Sequence, residues 1–474
     1  MAAITLAKLL RQIQIKTTDE RVILGISDDS RMLQKDWLFI ARQGSVQNGA
    51  DYITEALEKG AVVLWEGVNK KDCYHCDNII RAQRVVLRNY YGDPSRHLRV
   101  IGVTGTNAKT SVSDILAQLL KTMKQRVMVI GTGAVRFLDR EIAIDNTTPS
   151  ACVLGYYFHQ AMKYNLSTVI MEVSSHAIDQ ERIGFIRFDA VIYTNIASDH
   201  LDYHITRTHY QYTKLKLRSY LKRNGILIVN HDDKALHPLY SFHDHKVVTV
   251  GQGQAHFQIS AVDLKASGSS FTLQGVPYEM RLLGLHNVYN TAQCLVILHE
   301  MNIKRKTRQE AVKKLHPVSG RMETHEINHR YVIIDYAHTA SSLSTLLQTV
   351  NQLKERKMIV ICGCGGNRDR SKRSEMAQIA SYYADTAIFT TDNPRHEPPN
   401  QILYDMIEGL EHTYEIFENR ACAIKYAVKI AHEHDIIVIA GKGNEAYQVF
   451  NDKKYPFSDL EVLYRALEDN RYEY

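Results

Sequence analysis

VIGVTGTNAKTSVSDILAQLLKTM, residues 100–123, is the stretch that decides the fold. Val100 to Val103 form a short apolar run of the kind a buried strand needs, and Thr104-Gly105-Thr106-Asn107-Ala108 is a loop. From Lys109 onward, Val112, Ile115, Leu116, Leu119, Leu120 and Met123 recur at the spacing of one apolar helix face. Strand, glycine-bearing loop and helix in this order predict a phosphate site. The first turn of a helix has unpaired N–H groups and the positive end of the dipole, and an anion satisfies both. Gly105, Thr106, Asn107 and Ala108 then supply the cradle, Lys109 reaches the outer phosphates of a nucleotide, and the Thr110 hydroxyl, next to Ser111, is placed for Mg²⁺. Ala108 stands where such loops usually have glycine.

Working outward, strand-like runs at 127–130, 168–173, 190–195 and 225–230 extend the same unit. A second alternating series, 331–336, 357–362, 386–390 and 436–440, has helical segments at 341–355 and 421–433. This alternation predicts an α/β protein with largely parallel sheets. The Pro and Gly punctuation of PVSGRME, 317–323, predicts a hinge. The expected domains are 1–96, 97–317 and 318–474, the last Rossmann-like, in line with the soft prior of roughly 150 residues per domain.

Composition narrows the function. The 58 basic and 52 acidic residues leave a net charge of +6 on 474 residues, without a long basic tract, so no nucleic-acid surface is expected. No signal peptide and no membrane span are expected. Seven scattered cysteines predict a reducing, cytoplasmic setting. Cys73 and Cys76 flank His75 in CYHC, half of what a zinc site needs, and are taken as ordinary thiols.

GVTGTNAKTS at 102–111 resembles the nucleotide loop of the Mur ligases, ATP-dependent amino-acid ligases that build the peptidoglycan stem peptide. Further motifs follow in the order of the member type that adds the third residue: DDSR at 28–31, LFIARQG at 38–44, NTTP at 146–149 and MEVSSHAIDQERI at 171–183. After these come TNIASDHLDYH at 194–204, HYQYTKLKL at 209–217, GLHNVYN at 284–290 and GRME at 320–323. DYAHT at 335–339, CGGNRDRSKR at 364–373, DNPR at 392–395 and GKGNE at 441–445 complete the series. The chain departs from the usual residues at Ala108, Ala197-Ser198, Ala340 and Asn444.

The resemblance implies three domains: a small N-terminal α/β domain for the UDP substrate, a central P-loop domain for ATP and a C-terminal Rossmann-like domain for the amino acid. It implies ligation of meso-diaminopimelate to the D-glutamate γ-carboxylate of UDP-N-acetylmuramoyl-L-alanyl-D-glutamate through an acyl phosphate, with ATP and Mg²⁺, by a monomer. Thr110, Glu172 and His200 would hold Mg²⁺, with Lys214 as a further ligand if carbamylated, and Lys109 would act on the phosphates. Asn287, Arg321, Asp335 and His338 would face the nucleotide. Ser30, Arg31, Thr147, Thr148, Ser174 and Arg182 would contact the UDP substrate. Arg368, Asp392, Asn393, Pro394, Arg395, Gly441 and Glu445 would surround the incoming amino acid, Arg395 pairing with the distal carboxylate that distinguishes diaminopimelate from lysine. Two other readings stay open: a related amide ligase with another acceptor, and a weakly active binding or regulatory protein that keeps the fold.

Overall fold

The structure, a computed structural model, describes residues 4–44, 48–197, 199–265, 268–327 and 329–469; Ser198 lies outside them. By its internal contacts the chain divides into two compact units, Met1–Ile259 with Tyr289–Ala311, and Ser260–Val288 with Val312–Tyr474.

The first unit opens with four parallel strands, Gly25–Ser27, Trp37–Ile40, Val62–Trp65 and Cys73–His75 (β1 to β4), in sequential order. Leu38, Ile40, Val62 and Leu64 pack with Ile79, Ala82, Val86 and Leu87 of the helix Ile79–Tyr91. That helix stops at Gly92, whose φ of 73° is the left-handed cap that glycine adopts without a Cβ clash.

The larger sheet contains β5 (Arg99–Thr104), β6 (Val127–Gly131), β7 (Ala134–Phe137), β8 (Arg140–Ala143), β9 (Thr168–Glu172), β10 (Phe188–Tyr193), β11 (Leu221–Asn230) and β12 (Lys246–Gly251). Their order is β12-β11-β10-β5-β9-β6-β7-β8. The pairs from β12 to β6 are parallel, and β6, β7 and β8 form an antiparallel meander. β5, β6 and β9 are almost wholly buried, as expected for strands covered on both faces. The chain leaves β5 for β6 on one side and later crosses to β10 on the other, so the carboxyl end of β5 is a topological switch point, where such sheets bind ligands. β13 (Phe257–Lys265) starts beside β12, with Phe257 opposite Val250.

In the second unit, β14 (Gly268–Leu273) and β15 (Val276–Met280) form a hairpin. β16 (Glu323–Ile327), β17 (Arg330–Asp335), β18 (Met358–Cys362), β19 (Thr386–Thr390), β20 (Tyr414–Phe417) and β21 (Ile436–Ala440) form a sheet in the order β16-β17-β21-β18-β19-β20. Only the edge pair β16/β17 is antiparallel. Strand residues alternate between two apolar layers: Val360, Phe389 and Val438 pack with Leu343 and Leu347, while Ile359, Ile361, Ile437 and Ile439 pack with Ile424, Val428 and Leu463. A buried ion pair, Arg420 Nε to Asp459 Oδ1 at 2.7 Å, braces the end of β21, because Arg420 Nη2 also donates to the Ala440 carbonyl. A last hairpin joins β22 (Tyr447–Phe450) to β23 (Lys453–Pro456).

The predicted strands fall within two residues of those observed, apart from Gly225–Asn230, which starts earlier, at Leu221. β1 to β4 and β7 to β8 carry no clear period in the sequence; β8, for one, is exposed at every position. All seven cysteines are free thiols, and only Cys422 is exposed.

Candidate active site

In the first unit, register builds the site. Glu172, the last residue of β9, lies opposite Val103, and Tyr193, the last of β10, lies opposite Thr104, so both strand ends flank the loop that follows β5. Asn195 holds that loop from the side: its carbonyl accepts from Thr106 N at 2.8 Å and its Oδ1 from Asn107 N at 2.9 Å. Thr194 Oγ1 donates to the Asn107 carbonyl at 2.7 Å. A Cβ on Gly105 would stand 1.8 Å from Thr194 Oγ1, so this close approach requires glycine. Lys109 Nζ bends back to the carbonyls of Gly105 and Thr106, both at 2.9 Å. Thr110 and Ser111 lie half-buried in the first helical turn.

Ala108 has φ 67° and ψ 2°, a left-handed conformation. The usual glycine is therefore explained by backbone geometry as well as by room for phosphate. A left-handed L-residue costs roughly 1–2 kcal/mol, and glycine gives back part of that through its unfolded-chain entropy. Ala108→Gly is expected to raise stability by about 0.5–1 kcal/mol and to lower the KM for ATP. Thermal unfolding and ATP titration check this; a lower melting temperature would contradict it.

Glu172 is buried, and its carboxylate accepts from Thr110 Oγ1 at 3.1 Å, Thr132 N at 3.0 Å and Thr132 Oγ1 at 3.2 Å. A Cβ at Gly131 would lie 2.2 Å from Glu172 Oε1, so the strand end is bare to admit the carboxylate. Thr132 Oγ1 is 3.1 Å from Thr147 Oγ1, and Thr148 Oγ1 donates to the Glu172 carbonyl at 2.9 Å. Ser174 N donates to Thr148 Oγ1, and Arg182 Nη1 donates to the Thr148 carbonyl at 2.7 Å. Ser150 Oγ reaches Asp28 Oδ1 at 2.8 Å, tying DDSR to the same loop. Thr110, Glu172, Thr147, Thr148, Ser174 and Arg182 therefore form one hydrogen-bonded group. Burial and the nearby Arg42 guanidinium both disfavour the charge on Arg182, which suits it to an anionic ligand.

Ser30 and Arg31 are engaged locally. Ser30 Oγ donates to Glu55 Oε2 at 3.0 Å, and exposed Arg31 pairs with Asp29 at 2.6 Å. Lys214 is almost completely buried, and its Nζ donates to the Gly105 carbonyl at 2.8 Å. Burial, reinforced by the charge of Lys109, drives the Lys214 amine well below the ordinary lysine range. His200, at φ 52°, packs its ring 4.9 Å from that of His176, and no hydrogen bond joins it to Thr110 or Glu172. Among the described residues there is no cluster of three or more His, Cys, Asp or Glu side chains able to hold a metal ion.

In the second unit, the loops after β17, β18, β19 and β21 leave the carboxyl edge of the sheet and carry DYAHT, CGGNRDRSKR, DNPR and GKGNE. Asp335 accepts from Met322 N and Ala337 N, each at 2.7 Å, so its carboxylate staples the turn that bears Arg321. Arg321 lies 4.7 Å from the Tyr336 ring centroid, His338 Nδ1 is 2.9 Å from the Tyr336 carbonyl, and Asn287 Nδ2 donates to the Leu283 carbonyl. Gly441 has φ 114°, which only glycine adopts readily, and its N–H donates to the Asp335 carbonyl.

Arg395 is held by its backbone between Val449 and Asn451, and its guanidinium donates to the Gly366 carbonyl at 2.8 Å. Among the described residues it has no acidic partner, and exposed Arg368 has none either. Gly365 makes room, since a Cβ there would meet Arg395 Nη1 at 2.9 Å. Asp392, Asn393 and Pro394 are buried beneath this turn, and Glu445 Oε2 accepts from Asn393 Nδ2 at 2.9 Å. Burial pushes the Asp392 carboxyl upward. Sequence reasoning missed Thr132, Glu397 and Lys442. Glu397 pairs with buried Arg373 at 3.0 Å and accepts from Asn367 N, fixing the loop of Arg368. Thr132 and Glu397 act through partners distant in the chain, and Lys442 sits inside GKGNE, where only its burial marks it.

A switch-point P-loop with a buried carboxylate on its threonine, plus a Rossmann-like unit whose Arg368 and Arg395 have no acidic partner among the described residues, has the make-up of an ATP-using α/β ligase. Residues 103–298 match the Mur ligase middle domain and 320–443 the Mur ligase glutamate ligase domain. The UDP-N-acetylmuramoyl-L-alanyl-D-glutamate--2,6-diaminopimelate ligase of Geobacillus thermodenitrificans is 36% identical, covering 95% of this chain and 96% of its own. The protein of that name from Listeria innocua is 34% identical over 96% of each chain. A solved structure of a ligase of that name superimposes with a TM-score of 0.75 at 30% identity, over 99% of this chain and 100% of that one. The MurF ligase of Thermotoga maritima in complex with ADP shares the fold, with a TM-score of 0.65 at 16% identity, covering 94% and 98%. The chain belongs to the Mur ligase family. No helix among the described residues is long and apolar enough to cross a membrane.

Proposed function

We propose that this protein ligates meso-diaminopimelate to the D-glutamate γ-carboxylate of UDP-N-acetylmuramoyl-L-alanyl-D-glutamate at the expense of ATP. The observation that carries the reading is the hydrogen-bonded run from Thr110 through Glu172 and Thr132 to Thr147, which joins the phosphate loop to the acceptor-side loop. The domain division 1–96, 97–317 and 318–474 follows from the same reading, as does a cytoplasmic location, where the free thiols persist.

A carboxylate is a poor electrophile. The acceptor carboxylate attacks the terminal phosphorus of ATP and ADP leaves; the neutral amine then attacks the acyl carbon, loses one proton and displaces phosphate. Lys109, once drawn from its two carbonyls, supports the charge on the transferring phosphoryl group. The loop amides of Gly105 to Ser111 bind the phosphates, and Asn287, Arg321, Asp335 and His338 are the further nucleotide residues that the family resemblance implies. Thr147, Thr148, Ser174 and Arg182 orient the acceptor peptide, and Ser30 and Arg31 its uridine end. Arg368, Gly441 and Glu445 receive the amino acid and Arg395 its distal carboxylate, on the buried support of Asp392, Asn393 and Pro394.

The hydroxyl of Thr110 and carboxylate of Glu172 fit Mg²⁺, a hard ion that keeps several waters and needs few protein oxygens. Thr110 and Glu172, with His200 and carbamylated Lys214 as further holders, would keep the ion there, and it would supply neutralisation of phosphate charge. The near-complete burial of Lys214 favours the neutral amine that carbon dioxide requires, the product being a carbamate and one proton.

The test supplies ATP, Mg²⁺ and the UDP-dipeptide with either diaminopimelate or lysine, following phosphate release and product mass. Product with diaminopimelate is expected; no product with either amino acid would sink the proposal.

A further inference from the structure

Lys442 is completely buried, and no role assigned above uses it. Its ammonium has three N–H donors and faces three acceptors of the amino-acid site: Glu445 Oε2 at 3.0 Å, Asn393 Oδ1 at 3.3 Å and Asp392 Oδ1 at 3.5 Å. The last is an ion pair only, since Asp392 Oδ1 has no hydrogen-bond partner.

The consequences fall on two site residues. Asn393 is saturated at its oxygen, which accepts from Lys442 and from Val449 N at 2.9 Å, so its amide plane is fixed and Nδ2 points to Glu445. Glu445 has Oε2 held by both Lys442 and Asn393, while Oε1 receives no hydrogen bond from any described residue. One carboxylate oxygen is pinned and the other is left for a cationic amine.

We infer that Lys442 is a positioning residue for the incoming amino acid, holding Glu445, directly and through Asn393, in the geometry that accepts the substrate's ammonium group. This rests on the amino-acid site proposed above. Lys442 touches no substrate in this account and acts through Glu445. Without it, Oε2 of the half-buried Glu445 would keep only the Asn393 amide as a partner, and the carboxylate would turn toward water.

The experiment is a double-mutant cycle in the full-length enzyme with Lys442→Met and Glu445→Gln. Lys442→Met is expected to raise the KM for diaminopimelate about 30- to 100-fold, as losing a charged hydrogen-bond partner does, with the KM for ATP and UDP-dipeptide within about twofold. The double variant should match Glu445→Gln alone, because the carboxylate through which Lys442 acts is then absent. If Lys442→Met does not fold, the comparison of the double variant, free of the uncompensated Glu445 charge, with Glu445→Gln still decides. Additive losses, or equal changes in all three KM values, would overturn the assignment while wild-type turnover upholds the site. Absence of wild-type product with diaminopimelate would overturn both.

Discussion

Arg395→Ala is expected to lower kcat/KM for meso-diaminopimelate by about 10²- to 10³-fold, with turnover of lysine changed only a few fold. The guanidinium lies half-buried and without an acidic partner among the described residues, fixed by the Gly366 carbonyl and the clamped backbone of the DNPR turn. Removing it leaves the substrate's distal carboxylate desolvated and unpaired, a cost of about 3–4 kcal/mol. Lysine has no such carboxylate, so the preference between the two amino acids should nearly vanish. Arg395→Lys should rescue little, because a point charge cannot reproduce the planar two-point contact. Parallel kinetics with both amino acids provide the check; a variant that still discriminated strongly would remove Arg395 from the specificity role.

The second large effect concerns Lys214. Lys214→Ala is expected to reduce turnover about 100-fold, the upper end of what loss of a supporting metal contact costs, and short carboxylic acids should restore part of it by standing in for the carbamate. Stability supplies an independent readout. In the folded state the amine is held well below the ordinary lysine range, while in the unfolded chain it titrates near 10.4. Between those values the unfolded state binds a proton that the folded state does not. The unmodified protein should therefore gain stability as pH rises toward the ordinary lysine value and lose it as pH falls. In carbon-dioxide-free buffer the melting temperature should rise with pH over that window, and Lys214→Met should flatten the slope. An unchanged slope would show that Lys214 carries no such penalty.

How much was readable without the structure differs between the two units. The β5 loop and its helix are local: period and glycine sit within one stretch, so residues 100–123 predict a strand at 100–103, one residue short of the observed end at Thr104, and a helix opening at Lys109. The parallel strands of the second unit were legible for the same reason, as short apolar runs between helical periods. β7 and β8, which follow β6 in the meander, were not; β8 is exposed and has no buried face to write a pattern. Within the sites, motif order pointed to Glu172, Lys214 and Arg395, yet it could not separate residues that present a group from residues that support one. Asp335 and Asn393 read alike in sequence. In the structure both spend their polar atoms on backbone and side-chain partners.

The sequence by itself determined the α/β alternation, the phosphate loop and the family, because these depend on neighbours a few residues apart and on motifs kept in order. Tertiary structure alone decided that Glu172 meets Thr110, across 62 residues, through the register of β9 on β5. It also decided that Ala108 is left-handed, that Lys214 is buried beside the loop it serves, and that Lys442 underlies Glu445 and Asn393. Burial and long-range pairing arise only when strands are laid side by side, and no local spacing encodes them.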